Sequence, residues 1–349
     1  MQEQKRVSVK DIAAHLNISL STVHKALTGK SGISEERRKQ VLQTAQKLGY
    51  VVNTTAQALS RKDINIGVVL PLSWQEYFSH LKRGIEEQFL AMQEYRVNGI
   101  FYFVPATPND AEISNIKQWL SEKHIDAVLY CASHYSLNQL IANALIQTDC
   151  PIFWVGGSTD ISFSISNITV DAELTGRLAA DFLCCTSSPS VKAAVFTGSM
   201  QTGIHKLKTD AFCKRILENG GEILSVVETE DDPEKAYYSM ETLYSRNPEI
   251  NAIYVNTSTS EPVCRYLDEN GLEDRITLLG TDQFAVLTDY MKRGIMKATI
   301  SQNQDEVGRI AAASAYEYLH RRNTYGNADW KPERLVLIKP NLLLKANIE

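Results

Sequence analysis

Val7–Leu27, VSVKDIAAHLNISLSTVHKAL, decides the organisation of this chain. Apolar Val9, Ile12, Ala13 and Leu16 recur at three- and four-residue spacing and line one face of a short helix. Ser8 is placed to cap it, with Asp11 in the first turn, where free backbone N–H groups and the helix dipole favour an acid. Asn17 tolerates the left-handed conformation that ends a helix, and Ile18 follows as an apolar plug. Ser19 then caps a second helix that turns Val23, Ala26 and Leu27 inward. Two short helices joined by a tight turn form a helix-turn-helix, whose second helix enters the major groove. On its outer face lie Leu20, Ser21, Thr22, His24 and Lys25, side chains that are short or able to donate hydrogen bonds. The pattern reads as DNA recognition.

Charge agrees with that reading. Residues 1–62 hold 11 Lys+Arg against 4 Asp+Glu, and the remainder holds 25 against 37. The whole-chain net charge of −5 therefore conceals a basic head and an acidic body. A basic head suits a polyanion, and an acidic body is repelled by it. A solvated basic tail is the alternative, but these cations sit among capped, periodic helices. At 349 residues the chain has room for two or three domains. It lacks an apolar run long enough to span a membrane, and polar Met1–Arg6 does not open a signal peptide, so a cytoplasmic protein is expected. The six cysteines show neither Cys-x-x-Cys pairs nor zinc spacing and read as reduced thiols. No metal or cofactor is implied.

After Lys25 come Gly29 as a stop, Ser34 as the next cap, and a third helix in SEERRKQVLQTAQKLGY with Val41, Leu42, Ala45 and Leu48 inward. Residues 1–50 then form the head. In residues 51–63, Asn53 caps a segment, Thr54 to Ser60, whose one large apolar side chain is Leu59. That segment is too short to be stable alone in water, so DNA or a partner can order it; a linker that never folds is the alternative. From Ile64 the texture changes. INIGVVLPL, NGIFYFV, AVLYCA and PIFWVG are buried-strand runs alternating with helices, and a second round of alternation starts at Leu174. This predicts an α/β body of two lobes, each a doubly wound parallel sheet, with a ligand crevice at the carboxyl ends of the strands.

These residues are similar to a known family. VSVKDIAAHLNISLSTVHKAL, the third helix ending LGY, NTTAQALS and INIGVVLP resemble the LacI/GalR family of bacterial repressors almost without gaps over residues 7–70. Beyond 71 the resemblance is to the type I periplasmic sugar-binding fold, clearest in Gly280–Leu319, and KPNLLLKANIE resembles its closing strand. The resemblance implies three crossings between lobes, near 168, 296 and 328. Lobe 1 is then 64–168 with 297–327, and lobe 2 is 169–296 with 328–349. It also implies that Leu20, Ser21 and Lys25 read base edges, that Thr22 and His24 meet phosphate, and that Leu59 wedges into the minor groove. Lys25 stands where the family usually has Arg, and a lysine cannot make the same two-pronged contact with guanine.

In the crevice the resemblance places Gln75, Tyr77 and Phe78 against a sugar, and Asp282 and Gln302 on its hydroxyls. Lys208 replaces a usual Arg, Thr257 a common Asp, and Gly156-Gly157 a polar pair. The implied protein is a ligand-responsive repressor: a homodimer or larger assembly on a palindromic operator, with a sugar or sugar derivative as effector. An enzyme is the competing class. FTGSMQTGIHK has glycines spaced like a phosphate loop, but Ile204-His205 occupy the positions that require Lys and Ser or Thr. No G-x-G-x-x-G, G-x-S-x-G or H-E-x-x-H occurs, so the reading is not an enzyme. A body that serves dimerisation alone is the remaining alternative.

Overall fold

The computed structural model describes residues 7–27, 32–48, 50, 63–72, 75–105, 110–131, 135–157, 164–187, 190–325 and 332–348. Gly29 and the 51–62 segment with Asn53 and Leu59 lie outside them.

The head is α1 (Val9–Leu16), α2 (Leu20–Leu27) and α3 (Glu35–Lys47). Ser8 opens α1 in a capping arrangement in which its N–H and hydroxyl both donate to Asp11 Oδ2, at 2.7 and 2.6 Å. Asn17 ends α1 with φ 50°, and the next N–H, of Ile18, returns to the Ala13 carbonyl. Ser19 Oγ accepts from the Thr22 N–H at 3.1 Å, the cap expected for α2. Ile12, Val23 and Val41 are fully buried where the three helices meet, with Ala13, Ala26 and Ala45 around them. Leu42 departs from expectation and is 46% exposed. The buried face of α3 runs through Val41, Thr44 and Ala45, and one residue further on rotates Leu42 about 100° away from it.

The body holds two six-stranded sheets. The first contains β1 (Ile64–Pro71), β2 (Val97–Val104), β3 (Ala127–Cys131), β4 (Ile152–Val155), β5 (Ser166–Val170) and β11 (Leu335–Ile338). Its order is β11-β5-β4-β3-β1-β2, all parallel. The second contains β6 (Lys192–Thr197), β7 (Glu222–Glu228), β8 (Ala252–Val255), β9 (Thr277–Thr281), β10 (Met296–Ser301) and β12 (Asn341–Leu344). Its order is β12-β10-β9-β8-β6-β7, and β12 alone runs antiparallel to its neighbour. Helices cover both sheets: α4 (Gln75–Ala91), α5 (Asp110–Glu122), α6 (Tyr135–Ile146) and α12 (Gln304–Tyr325) in lobe 1. Lobe 2 has α7 (Ala172–Thr186), α8 (Gly203–Glu218), α9 (Pro233–Arg246), α10 (Ser260–Asn270) and α11 (Ala285–Arg293). Each sheet carries a separate apolar cluster on each face, which is why the central strands read as unbroken apolar runs.

The crossings differ from the expected positions in a consistent way. The chain leaves lobe 1 after β5, at Asp171, close to 168; it leaves lobe 2 only after β10, at 302–303, and lobe 1 again only after β11, at 339–340. The boundaries near 296 and 328 are therefore corrected. MKATIS pairs in parallel with β9, and LVLI pairs in parallel with β5, so each strand joins its sheet before the chain departs.

Lobe 1 is clasped by α4 against α12. At their crossing a Cβ on Gly84 would lie 1.9 Å from the Asp305 carbonyl oxygen, and one on Gly308 would lie 2.3 Å from the Leu81 carbonyl oxygen. Arg83 then closes the crossing with a two-pronged contact to Asp305, at 2.7 and 2.6 Å. Gly84→Ala forces the helix backbones apart and is expected to destabilise lobe 1 by about 1–3 kcal/mol. Urea unfolding checks this, and a wild-type midpoint for the variant contradicts the close crossing.

Candidate DNA-reading helix and interlobe crevice

Helix α2 presents its expected outer face. Leu20 is 47% exposed, Ser21 and His24 are exposed, and Thr22 and Lys25 are half-buried. Ser19 and Thr22 hydroxyls are hydrogen-bonded to each other at 2.8 Å, which fixes the start of the helix. Lys25 lies along the head rather than straight out, its Nζ 3.3 Å from the position a Cβ on Gly32 would take.

A buried polar cluster stands at the carboxyl ends of the lobe 2 strands. Asp282 follows β9 with φ 69°, a conformation an aspartate tolerates better than most side chains. Its N–H donates to the Ile300 carbonyl and its own carbonyl accepts from Thr299 Oγ1, so β10 holds it from both sides. Asp282 Oδ2 accepts from Gln302 Nε2 at 2.8 Å. Oδ1 accepts from Gln304 Nε2 at 2.6 Å and from the Gln302 N–H at 3.4 Å. Lys208, from α8, donates to Gln302 Oε1 at 2.6 Å and to the Asn256 carbonyl at 3.3 Å. Asp282, Lys208, Gln302 and Gln304 are all buried, at 1, 2, 6 and 7% exposure. Burial pushes the Asp282 carboxyl up, and the nearby Lys208 charge and the amide donors pull it back. Burial likewise lowers Lys208 to about 8, with the charges of Asp282 and Asp231 opposing it.

Lobe 1 contributes Tyr77. It is half-buried and packs against the cores of both lobes. Burial and the Asp282 charge raise its hydroxyl well above the ordinary tyrosine range. That hydroxyl lies 3.2 Å from where a Cβ on Gly156 would stand, and the Trp154 indole fills the space a Cβ on Gly157 would need. Two aromatic side chains thus occupy the room beside the glycine pair.

The structure therefore brings Tyr77, Lys208, Asp282 and Gln302 together. Thr257, at the end of β8, is buried, and its hydroxyl turns to Thr259 at 3.0 Å in the turn before α10. Phe78 is 5% exposed, packed in the lobe 1 core and edge-on to Tyr77 at 5.0 Å, so it buttresses that ring. Gln75 begins α4, and its side chain lies outside the described positions. Sequence reading missed Gln304 and Asn256; the polar run SQNQDE directly after β10 was the available signal for the first. The phosphate-loop resemblance also finds its explanation here. Gly198 is crowded by Asp231 and by the His205 ring, whose Nδ1 accepts the Ser199 N–H, so an acid stands where a phosphate would sit. Among the described residues no group of three His, Cys, Asp or Glu side chains is placed to hold a metal, and no helix is long and apolar enough to cross a membrane.

A capped helix-turn-helix head joined to a two-lobed α/β body with a buried polar cluster at its strand ends defines a class: DNA-binding proteins with a sensor-type body. Residues 8–53 match the bacterial regulatory proteins of the lacI family, and residues 66–323 match the periplasmic binding protein domain. Over most of its length the chain belongs to the periplasmic binding protein domain family, and its head is a lacI-family regulatory domain; it is a DNA-binding transcriptional regulator whose body has the type I periplasmic binding protein fold. It is similar to catabolite control protein A of Priestia megaterium, 22% identical over 336 residues, covering 94% of this chain and 97% of that one. It is also similar to the transcriptional repressor PurR of Glaesserella parasuis, 23% identical over 348 residues and covering 98% of each. In fold it resembles the transcriptional regulator CelR in complex with cellobiose, with TM-score 0.66, 18% identity, and 97% and 99% coverage of the two chains. The body alone resembles GanP, a glucose-galactose binding protein from Geobacillus stearothermophilus, with TM-score 0.70, 17% identity, and 82% and 99% coverage.

Lys208 supplies a direct check on the crevice. With a folded-state value near 8, the folded chain releases this proton well before the unfolded chain does. Between about pH 8 and the ordinary lysine value of about 10.4, the unfolded state binds more protons here, so Lys208's contribution becomes more favourable as pH rises. Carbon-13 NMR of labelled lysine is expected to show one Cε resonance titrating near pH 8, absent in Lys208→Met. A protein whose lysines all titrate above pH 10 contradicts the burial.

Proposed function

We propose that the protein is a homodimeric repressor that binds a palindromic operator and whose operator affinity is set by a small polyhydroxy effector, a sugar or sugar derivative, held between the lobes. The observation that carries the effector reading is the buried row Lys208–Gln302–Asp282, with Tyr77 of lobe 1 near enough for the Asp282 charge to act on its hydroxyl. A carboxylate, an ammonium and an amide on one side and an aromatic ring on the other match the two faces of a sugar ring: hydroxyls at the edge and C–H groups on the flat side. The fold similarities to a glucose-galactose binding protein and to a cellobiose-bound regulator support the same ligand class. The lobe 1 wall carries no charged partner at Gly156-Gly157, so ligand polarity is read mainly by lobe 2.

The head reads DNA through Leu20, Ser21 and Lys25 at base edges, and through Ser19, Thr22 and His24 at phosphate. Asn53 and Leu59 belong to the connecting segment, 51–63, in which Leu59 acts as the minor-groove wedge. Dimerisation draws support from β2, the outer strand of its sheet. Phe103 there is 45% exposed and stacks with Phe101, and Leu72 beside it is 51% exposed. An exposed aromatic edge strand is a surface that another chain covers. A two-fold dimer in turn requires a two-fold site on DNA. As a DNA-bound protein with no membrane-spanning helix among its described residues, it acts in the cytoplasm.

Selection of bound sequences from a random DNA pool is expected to return a short palindrome, bound less tightly as salt rises. Lys25→Ala is expected to reduce the preference for that sequence by about 1–3 kcal/mol while weakening binding to other DNA far less. Enriched sequences without two-fold symmetry overturn the dimeric reading. Calorimetry against neutral, acidic and phosphorylated sugars tests the effector class, and silence across the panel leaves a body used for dimerisation alone.

A further inference from the structure

Asp282 does more than line the crevice. Its side-chain oxygens are engaged by the second crossover: Gln304 Nε2 and the Gln302 N–H on Oδ1, Gln302 Nε2 on Oδ2. Between those two glutamines stands Asn303, with φ 54°. Asn303 Nδ2 donates to the Lys339 carbonyl at 2.6 Å, and its Oδ1 accepts from Asn341 Nδ2 at 3.0 Å. Lys339 lies in the third crossover, and Asn341 opens β12 directly after it. The backbone at 302–304 therefore carries two sets of hydrogen bonds, one to the third crossover and one to a single buried carboxylate. Packing does not hold this segment on its other side, where a cavity of about 290 Å³ is lined by Ser301, Asn303, Gln304 and Asp305 together with His80 and Arg83.

The count of acceptor sites gives the network a consequence. A carboxylate offers about four lone-pair positions. Asp282 fills two on Oδ1 and one on Oδ2 with crossover donors, leaving one. A ligand that presents a pair of hydroxyls to this carboxylate exceeds the remaining capacity by one, so an amide of Gln302 or Gln304 must let go. We infer that Asp282 is a lock on the interlobe crossovers and that Gln304 is a positioning residue that sets its strength: effector recognition and lobe movement draw on the same two oxygens. This rests on the reading of the crevice as the effector site, and it adds the device by which occupancy reaches the crossovers.

Gln304→Met keeps the side-chain volume and removes the donor to Oδ1. A hydrogen bond to a charged group is worth enough that its loss is expected to speed amide exchange by about tenfold or more at residues 301–305 and at Lys339, Asn341 and Leu342. Exchange in β6 and β8 is expected to stay as in the wild type, which separates this effect from general unfolding. Gln304→Asn, one methylene too short to reach Asp282, is the second variant should the first lose its fold. Operator affinity of the same variant, measured on the selected palindrome without any sugar, is expected to change although residues 1–62 are untouched. Faster exchange with unchanged operator affinity keeps the lock and removes its regulatory role. Wild-type exchange at both crossovers in both variants overturns the lock, whatever the operator affinity does.

Discussion

An ammonium and a carboxylate buried within one network set the terms for the body of this protein. Taking either charge out of water alone costs several kcal/mol, and the pair is tolerated only when the remaining donors and acceptors are also satisfied. Gln302 meets that condition here, accepting from Lys208 with its oxygen and donating to Asp282 with its nitrogen. The amide orientation is thereby fixed, and so is the backbone at 302, whose N–H also reaches Asp282. Because residue 302 begins the passage from β10 to α12, the demand of two buried charges becomes a demand on how the lobes connect. The close α4–α12 crossing at Gly84 and Gly308 then carries that constraint into the lobe 1 core.

Much of this was legible in the sequence where local rules decide. Ser8, Asp11, Asn17 and Ser19 act where capping chemistry places them, and their spacing alone defines the head. Strands buried on both faces, such as Ile64–Pro71, announced two covered sheets. Asp282 and Gln302 were singled out because they follow strands of an open α/β sheet, and Lys208 because of its place in the family resemblance; the structure joins the three in one buried network. What stayed hidden depends on long-range pairing. The crossings came from the resemblance alone, and MKATIS and LVLI carry too little pattern to show which sheet each joins, so the second and third were placed too early. Leu42 was assigned inward because period alone cannot separate neighbouring positions on a short helix when Thr44 takes the inner face. Phe78 and Tyr77 are adjacent aromatics, and only the packing shows that one belongs to the core and the other to the crevice.

The departures in the crevice share a physical direction. Gly156 and Gly157 leave lobe 1 without a charge, and Tyr77 and Trp154 fill the space beside them. Lysine at 208 provides a compact cation that Gln302 can bind end-on, where a planar guanidinium would demand a second acceptor. On the proposed reading, recognition is concentrated on one lobe, next to the crossovers, so a ligand held there acts on the connection between lobes with little separation. A short coupling path of this kind suits a head that must respond to the body through a brief linking segment.

Regulation by a ligand is a coupling of two equilibria, and it acts equally in both directions. The most direct measurement is operator affinity of the full chain, titrated at increasing concentrations of whichever sugar binds in calorimetry, together with sugar affinity measured with and without operator. Both affinities should shift by the same factor, on the order of 5- to 150-fold, as coupling energies of about 1–3 kcal/mol imply. An operator affinity that is the same at zero and at saturating sugar, for a sugar that binds the crevice, contradicts the coupling on which the whole reading depends.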